Sequence, residues 1–245
     1  MSLHHTLHGA GPHTVVLTHG LAAGEPIWAA QVAALAPRYR VLTWDLRGHG
    51  RSAPNAAPCA IADLAADLRR VLDDAGVARA VVLGHSAGGV VAMRFALDHP
   101  ERTSALVLVG TASECNARAR QFYEDLAAMA AERGMEPVYR RLGVSPAQAR
   151  QAPTDAATFA PVARAMASLH AAPLTPRLGE LRCPAHVIVG EKDFLGAGGS
   201  VILSRHIAGA ALAIVPGHGH GLFVEDPDGF NQLLLDFLAR LPGPA

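Results

Sequence analysis

The sequence predicts an α/β protein with a mostly parallel, doubly wound sheet and one helical insertion. Three observations carry that prediction. Six short apolar runs each end at turn residues, helical patterns separate them, and residues 111–181 show helical pieces with no clear strand. Such runs are too short for most helices and are bounded by Gly, Pro or Asp. They are continuous rather than alternating, which suits strands covered on both faces. Strands alternating with helices imply βαβ units, right-handed crossovers and a parallel sheet.

The first run, Val15-Val16-Leu17-Thr18, stops at His19-Gly20, and Val41-Leu42-Thr43-Trp44 stops at Asp45. Between Ile61 and Leu72 apolar residues fall at 61, 64, 65, 68, 71 and 72, the spacing of one buried helical face, and Gly76 sits where that helix would end. Ala80-Val81-Val82-Leu83 then ends at Gly84, and Ala87–Leu97 reads as the next helix. Ala105–Val109 ends at Gly110. Within 111–181 the helical pieces are Arg118–Arg133 and Pro161–His170. His186–Val189 ends at Gly190 and Leu212–Val215 at Pro216-Gly217, with a last helix expected over Phe230–Leu241. The tail Pro242-Gly243-Pro244-Ala245 is expected to fray.

Composition narrows the function classes. Of 245 residues, 50% are hydrophobic and 17% charged, which excludes general disorder. A chain of this length buries about 70–75% of its unfolded surface and needs no staple. Lys+Arg 21 balance Asp+Glu 21, so no electrostatic footprint for nucleic acid or an anionic membrane is visible. No stretch approaches the roughly 20 apolar residues of a membrane span. Cys59, Cys115 and Cys183 are too scattered for a disulfide framework or a zinc knuckle. The first residues lack a signal-peptide profile. The expectation is a cytoplasmic protein, monomeric or homodimeric, that acts on a small molecule and binds neither nucleic acid nor membrane.

One motif carries chemistry. Gly84-His85-Ser86-Ala87-Gly88 follows a predicted strand and opens a predicted helix. That is the context in which Gly-x-Ser-x-Gly forms a nucleophile elbow. Ser86 would sit on a sharp, strained turn, with Gly84 and Gly88 leaving room for it. The helix starting at Ala87 would aim its free N–H groups at the same spot, where an oxyanion can develop. The bland alternative is a Gly/Ser-rich turn without catalysis.

A serine hydroxyl needs a base. In this class the chain order is serine, acid, histidine. Beyond Gly190-Glu191-Lys192-Asp193 lie His206, in an expected helix, and His218 and His220, in a loop directly after a strand. Loops at strand ends are where open parallel sheets place their chemistry. A metal role for His218 and His220 is set aside, because no Asp, Glu or Cys set accompanies them. Asp193 is the first candidate for the acid that orients the histidine, and Glu114 the second.

Together these residues resemble the α/β-hydrolase superfamily over nearly the whole chain. His19-Gly20 resembles the oxyanion loop, and Asp45-Leu46-Arg47-Gly48-His49-Gly50-Arg51-Ser52 the Asp-x-Arg-Gly-x-Gly-x-Ser turn. Ser86 matches the nucleophile, Asp193 the acid, and Gly219-His220 with Glu225 and Pro227 the final Gly-His-x4-Glu-x-Pro pattern. That spacing selects His220 over His218. The resemblance implies a core over 1–110 and 182–245, a helical cap over 111–181, and an oxyanion hole from the N–H groups of Leu21 and Ala87. It implies a hydrolase that needs no cofactor or metal, similar to small carboxylesterases and the 3-oxoadipate enol-lactonase-like group. Esters, lactones and thioesters are the expected substrates. C–C bond hydrolysis, perhydrolysis and a non-enzymatic receptor on the same scaffold are the alternatives. His19 and His49 read as loop-packing residues, and the Asp45/Arg47 turn as structural. Trp28, near the oxyanion loop, is the candidate lining of the acyl pocket, with core packing as its alternative; Phe122, Tyr123, Met129 and Met166 are the cap candidates.

Overall fold

A computed structural model describes residues 2–241, so the expectation for the 242–245 tail lies outside the described residues. The strands are β1 (His5–His8), β2 (Thr14–Thr18), β3 (Arg40–Trp44), β4 (Ala80–His85), β5 (Thr103–Val109), β6 (Ala185–Gly190) and β7 (Ala211–Val215). They form one sheet in the order β1-β3-β2-β4-β5-β6-β7. Every neighbouring pair is parallel except β1 with β3, which is antiparallel.

Six of these strands stand where the apolar runs place them. β1 was not expected. Its sequence, His-Thr-Leu-His, has no apolar run, because it pairs on one side only and keeps much of its surface in contact with solvent.

Helices cover both faces. On one side lie α1 (Ala29–Leu35), α9 (Leu222–Glu225) and α10 (Pro227–Leu238); on the other lie α2 (Ile61–Asp74), α3 (Ala87–Asp98) and α8 (Gly198–His206). Alternate strand residues divide between the two layers. Val81 and Leu83 pack with Leu35, Phe230 and Leu234, whereas Val82 packs with Leu64, Leu68 and Val91. The period-2 alternation of a strand is therefore present, hidden in the sequence because both faces are apolar.

Between β5 and β6 the chain forms α4 (Ala117–Arg133), α5 (Met135–Leu142), α6 (Pro146–Gln151) and α7 (Ala156–Ala167). Leu126, Ala130, Val138, Phe159 and Ala163 make a small core of their own, but Val162, Ala165 and Met166 of α7 join the main core. α7 thus ties the inserted helices to the sheet domain.

Two helices begin well before the expected residue. α7 begins at Ala156, not Pro161, because Asp155 caps it by accepting from Thr158 N at 2.8 Å; Pro161 lies inside the helix. α10 runs Pro227–Leu238 rather than Phe230–Leu241, since Asp226 accepts from Gly229 N at 3.0 Å and Pro227 pre-sets the first turn. Among the described residues no helix is long and apolar enough to cross a membrane.

Candidate active site

The turn from β4 into α3 holds Ser86 at φ 55°, ψ −119°, a left-handed conformation that a side chain adopts only under constraint. Ser86 N donates to Val109 O at 2.9 Å, and Thr111 Oγ1 donates to Ser86 O at 2.7 Å. A Cβ on Gly84 would strike Gly88 O, and one on Gly88 would strike Thr18 O and His19 O. Only glycine lets β2, β4 and α3 approach so closely.

His220 comes from the loop after β7. Its Nδ1 lies 2.8 Å from Asp193 Oδ2. A carboxylate can only accept, so Nδ1 donates and Nε2 is left with its lone pair. Asp193 is itself fixed, its Oδ1 accepting from Leu195 N at 2.9 Å. The histidine loop is pinned by Glu225, whose Oε2 accepts from Gly219 N at 2.8 Å, and by Lys192 N donating to His218 O at 2.8 Å.

Ser86 and His220 line one cavity of about 440 Å³, together with Gly20 and Leu21. Among the described residues Ser86 Oγ makes no hydrogen bond, and it shares the cavity wall with His220. Neither Leu21 N nor Ala87 N donates a bond to another described residue, which leaves two amide protons beside Ser86.

The loop bearing Leu21 is built on two buried histidines. His19 Nδ1 donates to Gly20 O at 2.7 Å and its Nε2 accepts from Leu46 N at 3.0 Å. His49 Nδ1 donates to Arg47 O at 2.9 Å and its Nε2 accepts from Ala22 N at 3.2 Å. Burial pushes His19 down to about 4 and His49 to about 3, so both stay neutral and keep one donor and one acceptor. The turn that follows is braced by Asp45, which accepts from Glu25 N at 2.7 Å and Arg51 N at 2.9 Å, and by Arg47 Nε on Asp67 Oδ2 at 2.7 Å.

Other candidates fall elsewhere. Glu114 accepts from Thr175 Oγ1, so His220 is served by Asp193 and not by Glu114. His206 bonds Ile202 O within α8, and His218 bonds Pro216 O. Trp28 is a correction: it lines no part of the cavity. It is fully buried and stacks on Phe223 with ring centroids 4.4 Å apart, because the 3-10 turn over Glu25–Trp28 rolls the indole into the core and presents Ile27 to the cavity instead. Phe122 and Tyr123 line the cavity; Met166 is core, and Met129 packs among the inserted helices.

Sequence reading missed His85, Phe194 and Val224. His85 Nε2 donates to His220 O at 3.0 Å, and the two rings sit 4.6 Å apart, so the residue before the serine holds the histidine loop. Phe194 packs edge-on against His220 at 4.6 Å. Adjacency to Ser86 and Asp193 in the chain was the only signal for the first two; Val224 gave none.

Residues 13–149 match the family described as alpha/beta hydrolase fold. The chain belongs to the α/β-hydrolase family. Across that family it is similar to a protein of Caulobacter vibrioides provisionally named carbamate hydrolase RutD, 32% identical over 96% of this chain and 95% of the relative. A similarly named protein of Variovorax paradoxus is 32% identical over 100% of this chain and 98% of that one. Among solved structures, a hydrolase from Pseudomonas aeruginosa aligns with TM-score 0.86 at 30% identity, covering 96% of this chain and 94% of that one. The enol-lactonase from Burkholderia xenovorans aligns with TM-score 0.85 at 28% identity, covering 97% and 96%. The chain is a hydrolase by family and by these relatives.

Proposed function

We propose that the protein is a serine hydrolase that cleaves a small ester, lactone or thioester through an acyl-enzyme on Ser86. The observation that carries this reading is the 2.8 Å bond between His220 and Asp193, with His220 on the wall of the cavity that also holds the strained Ser86. Ser86 Oγ attacks the carbonyl carbon while its proton passes to His220 Nε2. The carbon–heteroatom bond breaks, and His220 returns the proton to the leaving group. Water then attacks the acyl-enzyme, gives one proton to His220, and releases the acid as Ser86 is reprotonated. Asp193 stabilises the imidazolium at Nδ1. Leu21 N–H and Ala87 N–H hold the oxyanion, each worth about 10²–10³ in rate. None of these steps needs a cofactor or metal. The carbamate and enol-lactone named for the relatives are also acyl compounds, which supports this chemistry over C–C bond cleavage.

An activated acetate ester is expected to give a burst, and a fluorophosphonate to label Ser86. Ser86→Ala and His220→Ala should each cut turnover by about 10⁴–10⁶, with His218→Ala nearly unchanged. Full turnover by Ser86→Ala would end the proposal.

A further inference from the structure

We propose that the compound cleaved at Ser86 is uncharged and carries an apolar arm that extends from the main cavity into a second chamber between α6 and the loop after β2. The inference rests on the hydrolase reading above and names its substrate class.

A second cavity of about 210 Å³ adjoins the first. The two share Ala23, Ile27, Val144, Gln148 and Val224 as walls, and the second continues over Ala22, Gly24, Pro26, Gln151 and Ala152, none of them charged. Gln148 Oε1 accepts from Ser145 N at 2.8 Å in the cap of α6, which leaves its uncharged Nε2 amide as the one polar group on the shared wall. Apart from that uncharged amide the shared wall is aliphatic. The apolar character continues to the mouth, where Phe194 is 59% exposed and Val224 47%. Isolated exposed apolar residues need no explanation, but these two border the same opening as Ser86 and His220.

Charge decides the rest. Among the described residues no lysine or arginine lines either cavity. The one ionised side chain besides the catalytic candidates is Glu225, a carboxylate already engaged by Gly219 N. Arg141 lies over the ring of Phe122, 5.6 Å from its centroid, and not in the lining. A substrate with a second carboxylate would lose its water there without meeting a cation, and would face Glu225. That sets this site apart from one for the lactone of a dicarboxylic acid, which keeps a free carboxylate. An alkyl arm gains from the same walls by leaving water.

The test is acid release by titration on methyl esters of acetic, butyric, hexanoic and octanoic acid, on butyl and hexyl acetate, and on monomethyl adipate. In at least one of the two chain series kcat/KM should rise by about two- to fourfold per methylene up to six carbons. Methyl hexanoate should exceed monomethyl adipate, its carboxylate-ended counterpart, by about a hundredfold. Val144→Phe, at the junction, should lower the long-chain to short-chain ratio by about tenfold, and Val144→Arg should raise the adipate to hexanoate ratio. Flat profiles in both chain series, or adipate and hexanoate monoesters cleaved equally well, would overturn the inference while leaving the hydrolase reading intact. No cleavage of any ester together with no fluorophosphonate label on Ser86 would instead remove the hydrolase reading, and the inference with it.

Discussion

Ser86 is a single residue that holds backbone strain on the wall of the cavity. A non-glycine residue at φ 55°, ψ −119° costs on the order of 1–3 kcal/mol, and its hydroxyl recovers none of that through a hydrogen bond. Ser86→Gly should therefore stabilise the fold by about 1 kcal/mol, after subtracting the roughly 0.5–1 kcal/mol that glycine loses in chain entropy. Ser86→Ala keeps the Cβ and the strain, so its unfolding midpoint in urea should match the wild type. A glycine variant less stable than the alanine variant would show that the turn is not strained by its side chain. Both variants should be inactive on the proposed ester substrates, which separates the cost of the turn from the chemistry it presents.

The elements that matter most are the ones that meet at the elbow. α3 starts so close to β2 that a methyl group on Gly88 would run into two backbone carbonyls, neither of which can swing away. Gly88→Ala should cost about 1–3 kcal/mol, read from the urea midpoint, by forcing α3 off the sheet. Because the same shift moves Ala87 N–H away from Ser86, hydrolysis should fall further than stability does. A variant with unchanged stability and turnover would mean that α3 has slack the packing does not show. By contrast Leu68, fully buried on α2 and remote from the cavity, should lose about 2–5 kcal/mol as Leu68→Ala with little effect on turnover at low temperature. The two substitutions distinguish an element that positions the site from one that only supports the sheet.

At the scale of the whole molecule, buried histidines make stability depend on pH. His19 and His49 sit at about 4 and about 3, and His85 is also held well below 6.5, in each case chiefly by burial. The unfolded chain takes up protons near 6.5 that the folded chain refuses. Stability is thus full above about pH 7 and falls as pH drops below 6.5, until the folded-state values are passed. Each such histidine contributes a slope of up to roughly 1.4 kcal/mol per pH unit in that window. Asp45, raised by burial, works in the opposite sense near the bottom of the range. Urea unfolding at pH 7.5, 6 and 5 should show at least about 2 kcal/mol lost by pH 5. A flat profile would mean that these rings are not neutral and buried. The rings also hold Gly20 and Ala22 in place, so the loop bearing Leu21 should loosen on the same acid limb.

The sequence by itself determined the class of fold and the places along the chain of six of the seven strands, because both are written in local signals: apolar runs, helical spacing and turn residues. It also marked Ser86, Asp193 and His220, since each follows a strand at a turn that glycine makes recognisable. It was silent on β1, whose exposed edge needs no apolar run, and misleading on Trp28, because nearness along the chain does not say which way a short turn rolls a side chain. The cavity walls were beyond it altogether. Ile27, Val144 and Val224 lie on three separate segments, and only the packing of the inserted helices against the loops after β2 and β7 brings them together. Tertiary contact decided the shape and charge of that space, and with them the kind of molecule it can hold.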